Sequence, residues 1–359
     1  MTAPAADDAR VTRLVLGIVA LSTLARIVAG ASVGLVVDEA YTVGVTRVFQ
    51  WSWFDHPPLA FWWVHVMQTI GGGEAPNLVL RAPFVLAMSV SIWLLFTLTR
   101  RVHGARAGLW AALSFALAPF FLFAAGTWAL PDGPLILALL LAAHGLVRLL
   151  EHEPGARPAW GLWLGTGLAL GLAGLSKYQA AFVAFGVLGY LVATPHRRWL
   201  ARPEPWVAGF LALAVVSPVL LWNAANGWVS FLFQGGRGAA GGGLRFDQLG
   251  QMLAGEAAYL IPWTAVTMVV AAALAFGRPG PDRLFLAMAL PAVLVFTLTP
   301  LWGERGLPHW TMPGWLFLFP ALGWLLADMA ARASRWPARG AIASLLAVSV
   351  VLVVGGLQS

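Results

Sequence analysis

Asp38, Glu39, Asp55 and His56 stand close together in the chain, just after an apolar run that ends near Gly30. Ionisable groups this near a bilayer are costly unless they are paired or used, so the stretch reads as the beginning of an active site in which one carboxylate serves as a base. If Val36-Val37-Asp38-Glu39-Ala40-Tyr41 is helical, neighbouring side chains point about 100° apart. One carboxylate then faces a cavity while the other bonds locally; the plainer reading is a solvated helix cap. In Asp55-His56-Pro57-Pro58-Leu59 the two prolines fix their own φ and hold His56 extended. Pro near a helix start explains the prolines but leaves the Asp-His pair unaccounted for.

Further groups with chemistry are scattered downstream. Asp132 follows Leu130-Pro131 at the start of an apolar run, and Lys177 lies in Gly174-Leu175-Ser176-Lys177-Tyr178, between two apolar runs with almost no room for a loop. Two readings of that lysine stand side by side: a ligand for an anion, or a cation snorkelling to water beside an aromatic-belt Tyr178. Arg237 sits among glycines in Gly235-Gly236-Arg237-Gly238, and a late segment carries Glu304, Arg305 and His309. The glycine-rich segment has the backbone freedom of a closing loop, or is a plain surface connection.

The elements that must position these residues follow from composition. The chain is 60% hydrophobic and 10% charged, with mean hydropathy +0.79, whereas soluble domains carry about 25% charged residues. It is an all-α polytopic membrane protein. Spans of about 20 residues cross the hydrocarbon, and apolar runs of that order lie near 11–30, 80–99, 106–124, 132–150, 160–176, 178–194, 205–222, 252–276, 284–301, 312–330 and 339–357. That predicts eleven transmembrane helices. The patch Leu59 to Ile70 is too short to cross and reads as an amphipathic helix in the interface. Residues 1–359 read as a single transmembrane domain without a separate soluble one.

Most of the 22 basic residues fall in alternate connections, which by the positive-inside rule places the N-terminus in the cytoplasm. The acidic motifs, Lys177, Arg237, Arg305 and His309 then share the outer face of the cytoplasmic membrane. The net charge of +7 is met by anionic lipid and the insertion rule, so no nucleic acid is implied. With no cysteine, disulfides and thiolate chemistry are excluded.

Asp38-Glu39 after the first span, Asp55-His56-Pro57-Pro58-Leu59 before an interfacial helix, and Leu130-Pro131-Asp132 at an outer helix start resemble the GT-C membrane glycosyltransferases. More narrowly they resemble the protein O-mannosyltransferase and lipid A aminoarabinose transferase group. The resemblance covers the N-terminal half through about Tyr178. It implies transfer of a sugar from a polyprenyl-phosphate donor to a glycolipid, glycan or protein acceptor among the membrane lipids, with inversion. It assigns Asp38 as base, with Glu39 its neighbour, and Asp132 as a second acidic site, so these three form the catalytic set. His56 falls near the donor phosphate, and Lys177, Arg237 and Arg305 are the other cations suited to it. Asp55, Tyr178 and His309 are assigned to substrate positioning.

A carboxylate to take or orient the acceptor proton, with two substrates held together, is the chemistry such a reaction asks for. A divalent cation on Asp38, Glu39 and Asp132 suits the oxygen-rich set, although no spacing has the specificity of a zinc motif. The rival class is a lipid or solute transporter. Inverted repeats and midplane charges mark such folds; here the charges gather at one face.

Overall fold

The computed structural model describes residues 3–152, 159–238, 243–303 and 305–358, and among them the regular structure is helical throughout. α1 (Ala3–Ser32) leads through two short helices, α2 (Val37–Val45) and α3 (Leu59–Ile70), into α4 (Asn77–His103). α5 (Ala105–Leu117) ends in a π-turn at Phe120–Ala124, followed by α6 (Asp132–Leu149), α7 (Trp160–Ser176), α8 (Ala180–Ala193) and α9 (Pro203–Ala225). The short α10 (Val229–Arg237) precedes α11 (Phe246–Leu260), α12 (Pro262–Phe276) and α13 (Pro281–Leu298). α14 (Met312–Trp315) continues through a 3-10 turn into α15 (Phe319–Ala331), and α16 (Trp336–Gln358) comes last.

Each of the apolar runs read from the sequence is helical. Length and apolarity qualify six segments among the described residues to cross a membrane, or seven if the bent pair α11 and α12 is one span. α5, α7 and α8 are apolar but shorter, so the count of eleven is not established. The run 252–276, expected as one span, is broken by a 98° bend. Pro262 has no N–H and disfavours the helical region for the residue before it, and Ile261 accordingly leaves the helix at φ 69°. A similar break follows α5, where Ala118 is extended ahead of Pro119. The two breaks pack together, with Phe120 and Tyr259 ring centroids 5.6 Å apart and Leu122 against Ile261.

Apolar helices in lipid gain little from further burial of apolar surface, so small residues that let backbones approach are what bring them together. α7 shows this: a Cβ on Gly171 would lie 2.7 Å from Val215 Cβ, and one on Gly174 2.8 Å from Val216 Cγ2, so α7 lies directly on α9. A core centred on Ile92, Phe96, Phe115, Phe121, Leu139 and Phe319 joins α4, α5, α6 and α15. Irregular segments beside this scaffold, around α2, the π-turn and the start of α6, bring polar residues together.

Candidate functional site

The adjacent carboxylates of α2 have opposite surroundings. Glu39 is fully buried. Its Oε1 accepts from Arg81 Nε at 2.8 Å and from the Ala129 amide at 2.8 Å, while Oε2 accepts from Arg81 Nη2 at 2.5 Å and the Val36 amide at 3.1 Å. Arg81, also fully buried, gives its remaining donors to the carbonyls of Gly30, Val33 and Gly34. One ion pair thereby ties the end of α1, α2, α4 and the segment after the π-turn into a frame. Asp38, turned away by a single helical step, lines a polar chamber of about 270 Å³ together with Tyr41, Asp132, Lys177 and Tyr259. Among the described residues Asp38 makes no ion pair.

Asp132 opens α6, where a carboxylate suits the helix N-terminus. Its two oxygens take hydrogen bonds from Lys177 Nζ at 2.8 and 2.9 Å, and both side chains are buried. Lys177, the only lysine in the chain, caps α7 in an extended conformation, and only Lys177, Tyr178 and Gln179 separate α7 from α8. The tight junction read from the sequence is what lets a lysine point back into the bundle rather than out to water.

His56 Nδ1 lies 2.9 Å from Asp55 Oδ2, and its ring stacks on Phe61 at 5.9 Å, with α3 starting directly after Pro58. Burial pushes the Asp55 carboxyl up, but the His56 hydrogen bond and charge outweigh it and hold the group below the usual carboxylate range. Burial, with the Asp55 charge added, pushes the Tyr41 phenol up to about 12, so it stays a donor. Burial first, then the Lys177 charge, pushes the His309 imidazole down to about 3, so this ring is neutral. The Arg237 guanidinium is held over the rings of Phe233 at 4.4 Å and Trp310 at 5.3 Å, contacts that orient a cation without neutralising it.

A second chamber of about 460 Å³ adjoins the first. Its walls are mainly apolar, from Ala181, Phe182, Phe231, Val295 and Phe296 of α8, α10 and α13. Asp55, His56, Lys177, Arg237, His309 and Trp310 line both chambers. A charged threshold therefore separates a polar compartment holding two more carboxylates from an apolar one.

Of the residues expected in a site, Asp38, Asp55, His56, Asp132, Lys177, Arg237 and His309 meet at the polar chamber, and Tyr178 lines the apolar one. Glu39 lies outside both, consumed by Arg81. Arg305 is exposed and lines neither chamber, because the segment after α13 turns His309 and Trp310 inward instead. Glu304 and residues 239–242 of the glycine-rich segment lie outside the described residues. A cation held jointly by Asp38, Glu39 and Asp132 does not fit: Glu39 is spent on Arg81 and Asp132 on Lys177. Among the described residues no three His, Cys, Asp or Glu side chains converge as ligands.

Sequence reasoning missed Arg81, Tyr41, Tyr259 and Trp310. The chain has only 4 tyrosines beside 19 tryptophans and 20 phenylalanines, and three of them line these chambers. That scarcity was the available signal. Arg81, near the start of an apolar helix, called for a buried partner, but nothing local named an acid 42 positions away.

Residues 55–222 match the family model for dolichyl-phosphate-mannose-protein mannosyltransferase. The crystal structure of apo ArnT from Cupriavidus metallidurans superposes with TM-score 0.70 and 19% identity, over 95% of this chain and 63% of that one. The same protein bound to undecaprenyl phosphate gives 0.70 and 20%, over 95% and 64%. The archaeal oligosaccharyltransferase AglB from Archaeoglobus fulgidus, in complex with an inhibitory peptide and a dolichol-phosphate, gives 0.51 and 15%, over 96% and 56%. No curated protein sequence matches the chain. The chain spans less than two thirds of the length of these solved structures. The chain thus shares its fold with these solved membrane proteins and matches the mannosyltransferase family model across its centre, in line with the resemblance carried by its N-terminal motifs.

Proposed function

We infer that the protein transfers a sugar from a polyprenyl-phosphate donor to a glycolipid, glycan or protein acceptor at the outer face of the cytoplasmic membrane, with inversion at the anomeric carbon. The observation that carries this reading is the charged threshold between an apolar and a polar chamber. A lipid-linked sugar is itself divided in that way, with a prenyl chain for the apolar chamber, a phosphate for Arg237, His56 and Lys177, and a sugar for the polar one. The undecaprenyl phosphate bound to ArnT supports the choice of ligand class.

In the reaction, the acceptor hydroxyl attacks the anomeric carbon and its proton passes to Asp38. The bond from that carbon to the phosphate oxygen breaks, with its electron pair left on the phosphate. Asp38 suits the base because it alone of Asp38, Glu39, Asp55 and Asp132 has no cationic partner among the described residues. Tyr41 and Tyr259 line the same chamber. A polyprenyl phosphate needs little acid to leave; it needs positive charge, which the threshold holds.

The test is turnover by detergent-purified protein given a radiolabelled polyprenyl-phosphate sugar and membrane lipid extract. Wild type should release labelled product and Asp38→Asn should not. Wild-type turnover in Asp38→Asn would sink the assignment, and vectorial movement of lipid or solute in proteoliposomes, without bond cleavage, would favour the transporter.

A further inference from the structure

Lys177 faces both chambers, yet its ammonium is already taken by both oxygens of Asp132. Asp38, Asp55 and Asp132 line the polar chamber together with two basic side chains, Lys177 and Arg237. While Asp132 holds Lys177, Arg237 is the guanidinium of the chamber that has no ion pair among the described residues and can meet an incoming phosphate. Asp132, unlike Glu39, takes hydrogen bonds from no other residue among those described, so nothing else holds the pair closed.

The charge on that phosphate changes during the reaction. A polyprenyl-phosphate sugar is a diester with about one negative charge, whereas the leaving polyprenyl phosphate is a monoester with about 1.5 to 2 at neutral pH. Interactions that strengthen as charge develops are the ones that raise rate. The geometry points to an ion-pair exchange: as the bond to the sugar breaks, Lys177 passes from the Asp132 carboxylate to the leaving phosphate.

Before reaction, Asp132 satisfies the buried ammonium and keeps it from gripping the diester. During bond cleavage the anomeric carbon loses the phosphate oxygen with its electron pair, and Asp38 takes the acceptor proton. Negative charge thus leaves Asp38 as it appears on the phosphate, and the Lys177 donors follow it. Lys177 is then a catalytic residue, and Asp132 a positioning residue that holds it in reserve and releases toward Asp38 and Tyr259. This deepens the donor reading above and rests on it.

The exchange is tested with undecaprenyl phosphate and its methyl diester as probes, bound to the full-length protein in nanodiscs. Asp132→Asn should tighten the monoester about tenfold, in keeping with release of a buried charge from its partner, and leave the diester nearly unchanged. Lys177→Met should abolish the monoester preference and lower kcat more than it raises KM. The double variant should bind as Lys177→Met does. If the single variants fail to fold, the structure of the wild-type complex decides: Lys177 Nζ on the phosphate and parted from Asp132 is expected.

If Arg237→Ala and His56→Ala weaken both probes while wild type, Asp132→Asn and Lys177→Met share one monoester preference, the exchange is overturned and the donor reading stands. Retention of both Asp132 contacts in the complex overturns it equally. If no threshold variant alters binding of either probe, the donor reading itself fails and the exchange with it.

Discussion

Two buried ion pairs sit at the same end of this bundle, and they differ in how completely they are satisfied. Glu39 and Arg81 fill almost every acceptor and donor they have, with each other and with backbone from Gly30, Val33, Gly34, Val36 and Ala129. Asp132 and Lys177 bond only to each other among the described residues, and both border the polar chamber. A saturated pair is a frame, since any movement leaves buried polar groups unpaired. A pair with spare acceptors and donors beside a cavity can be recruited by a ligand. The lesson is that burial and charge alone do not separate structural from reactive carboxylates; the count of remaining hydrogen-bonding capacity does.

The largest effect should fall outside both pairs. Asp38→Asn should lower kcat by about 10² to 10⁴, the range for losing a general base, with little change in melting temperature. Glu39→Gln should do the reverse: about 3 to 5 kcal/mol of stability lost for breaking a buried pair, read by thermal unfolding in detergent. A Glu39→Gln protein of wild-type stability would end the distinction drawn above.

Next in size, replacing both members of the second pair, as Asp132→Leu with Lys177→Met, should cost at most about 1 kcal/mol, because apolar groups of similar volume replace a buried pair at little loss. The same neutralisation at Glu39 and Arg81 should remain destabilising, since the amides and carbonyls they bind would lose partners.

The smallest effects concern pH. His309 is pushed down to about 3, so it is neutral across any assay above that value, and His309→Gln should leave the shape of the pH–rate profile unchanged. The Asp55 carboxyl lies below its ordinary value, so its contribution to stability is present above about pH 4 and is lost as pH falls through the folded value. Asp55→Asn should flatten that acid limb of a pH–melting curve.

Much of the fold was legible because its signals are local. Apolar runs, the short helix Leu59–Ile70, the Asp-His-Pro-Pro entry to it and the tight turn at Lys177 are each contained in a few neighbouring residues, and each appears where expected. The break at Ile261 was readable in principle from Pro262, but the long apolar run around it concealed the bend. Candidate site residues were found where charge interrupts hydrophobicity, which is why Asp38, Asp132, Lys177 and Arg237 were identified and Tyr41 and Tyr259 were not. A tyrosine in an apolar helix does not break the pattern.

By itself, the sequence determined that this chain is helical and built for a membrane, and which ionisable residues gather toward one face, because desolvation forbids them to be scattered. Only the tertiary structure decided what each does. Asp38 and Glu39 are neighbours of the same chemical kind, and one helical step sends one into a cavity and the other onto Arg81, 42 positions along the chain. The physical reason is that a carboxylate's role is set by the donors around it, and in a bundle those donors come from helices remote in sequence.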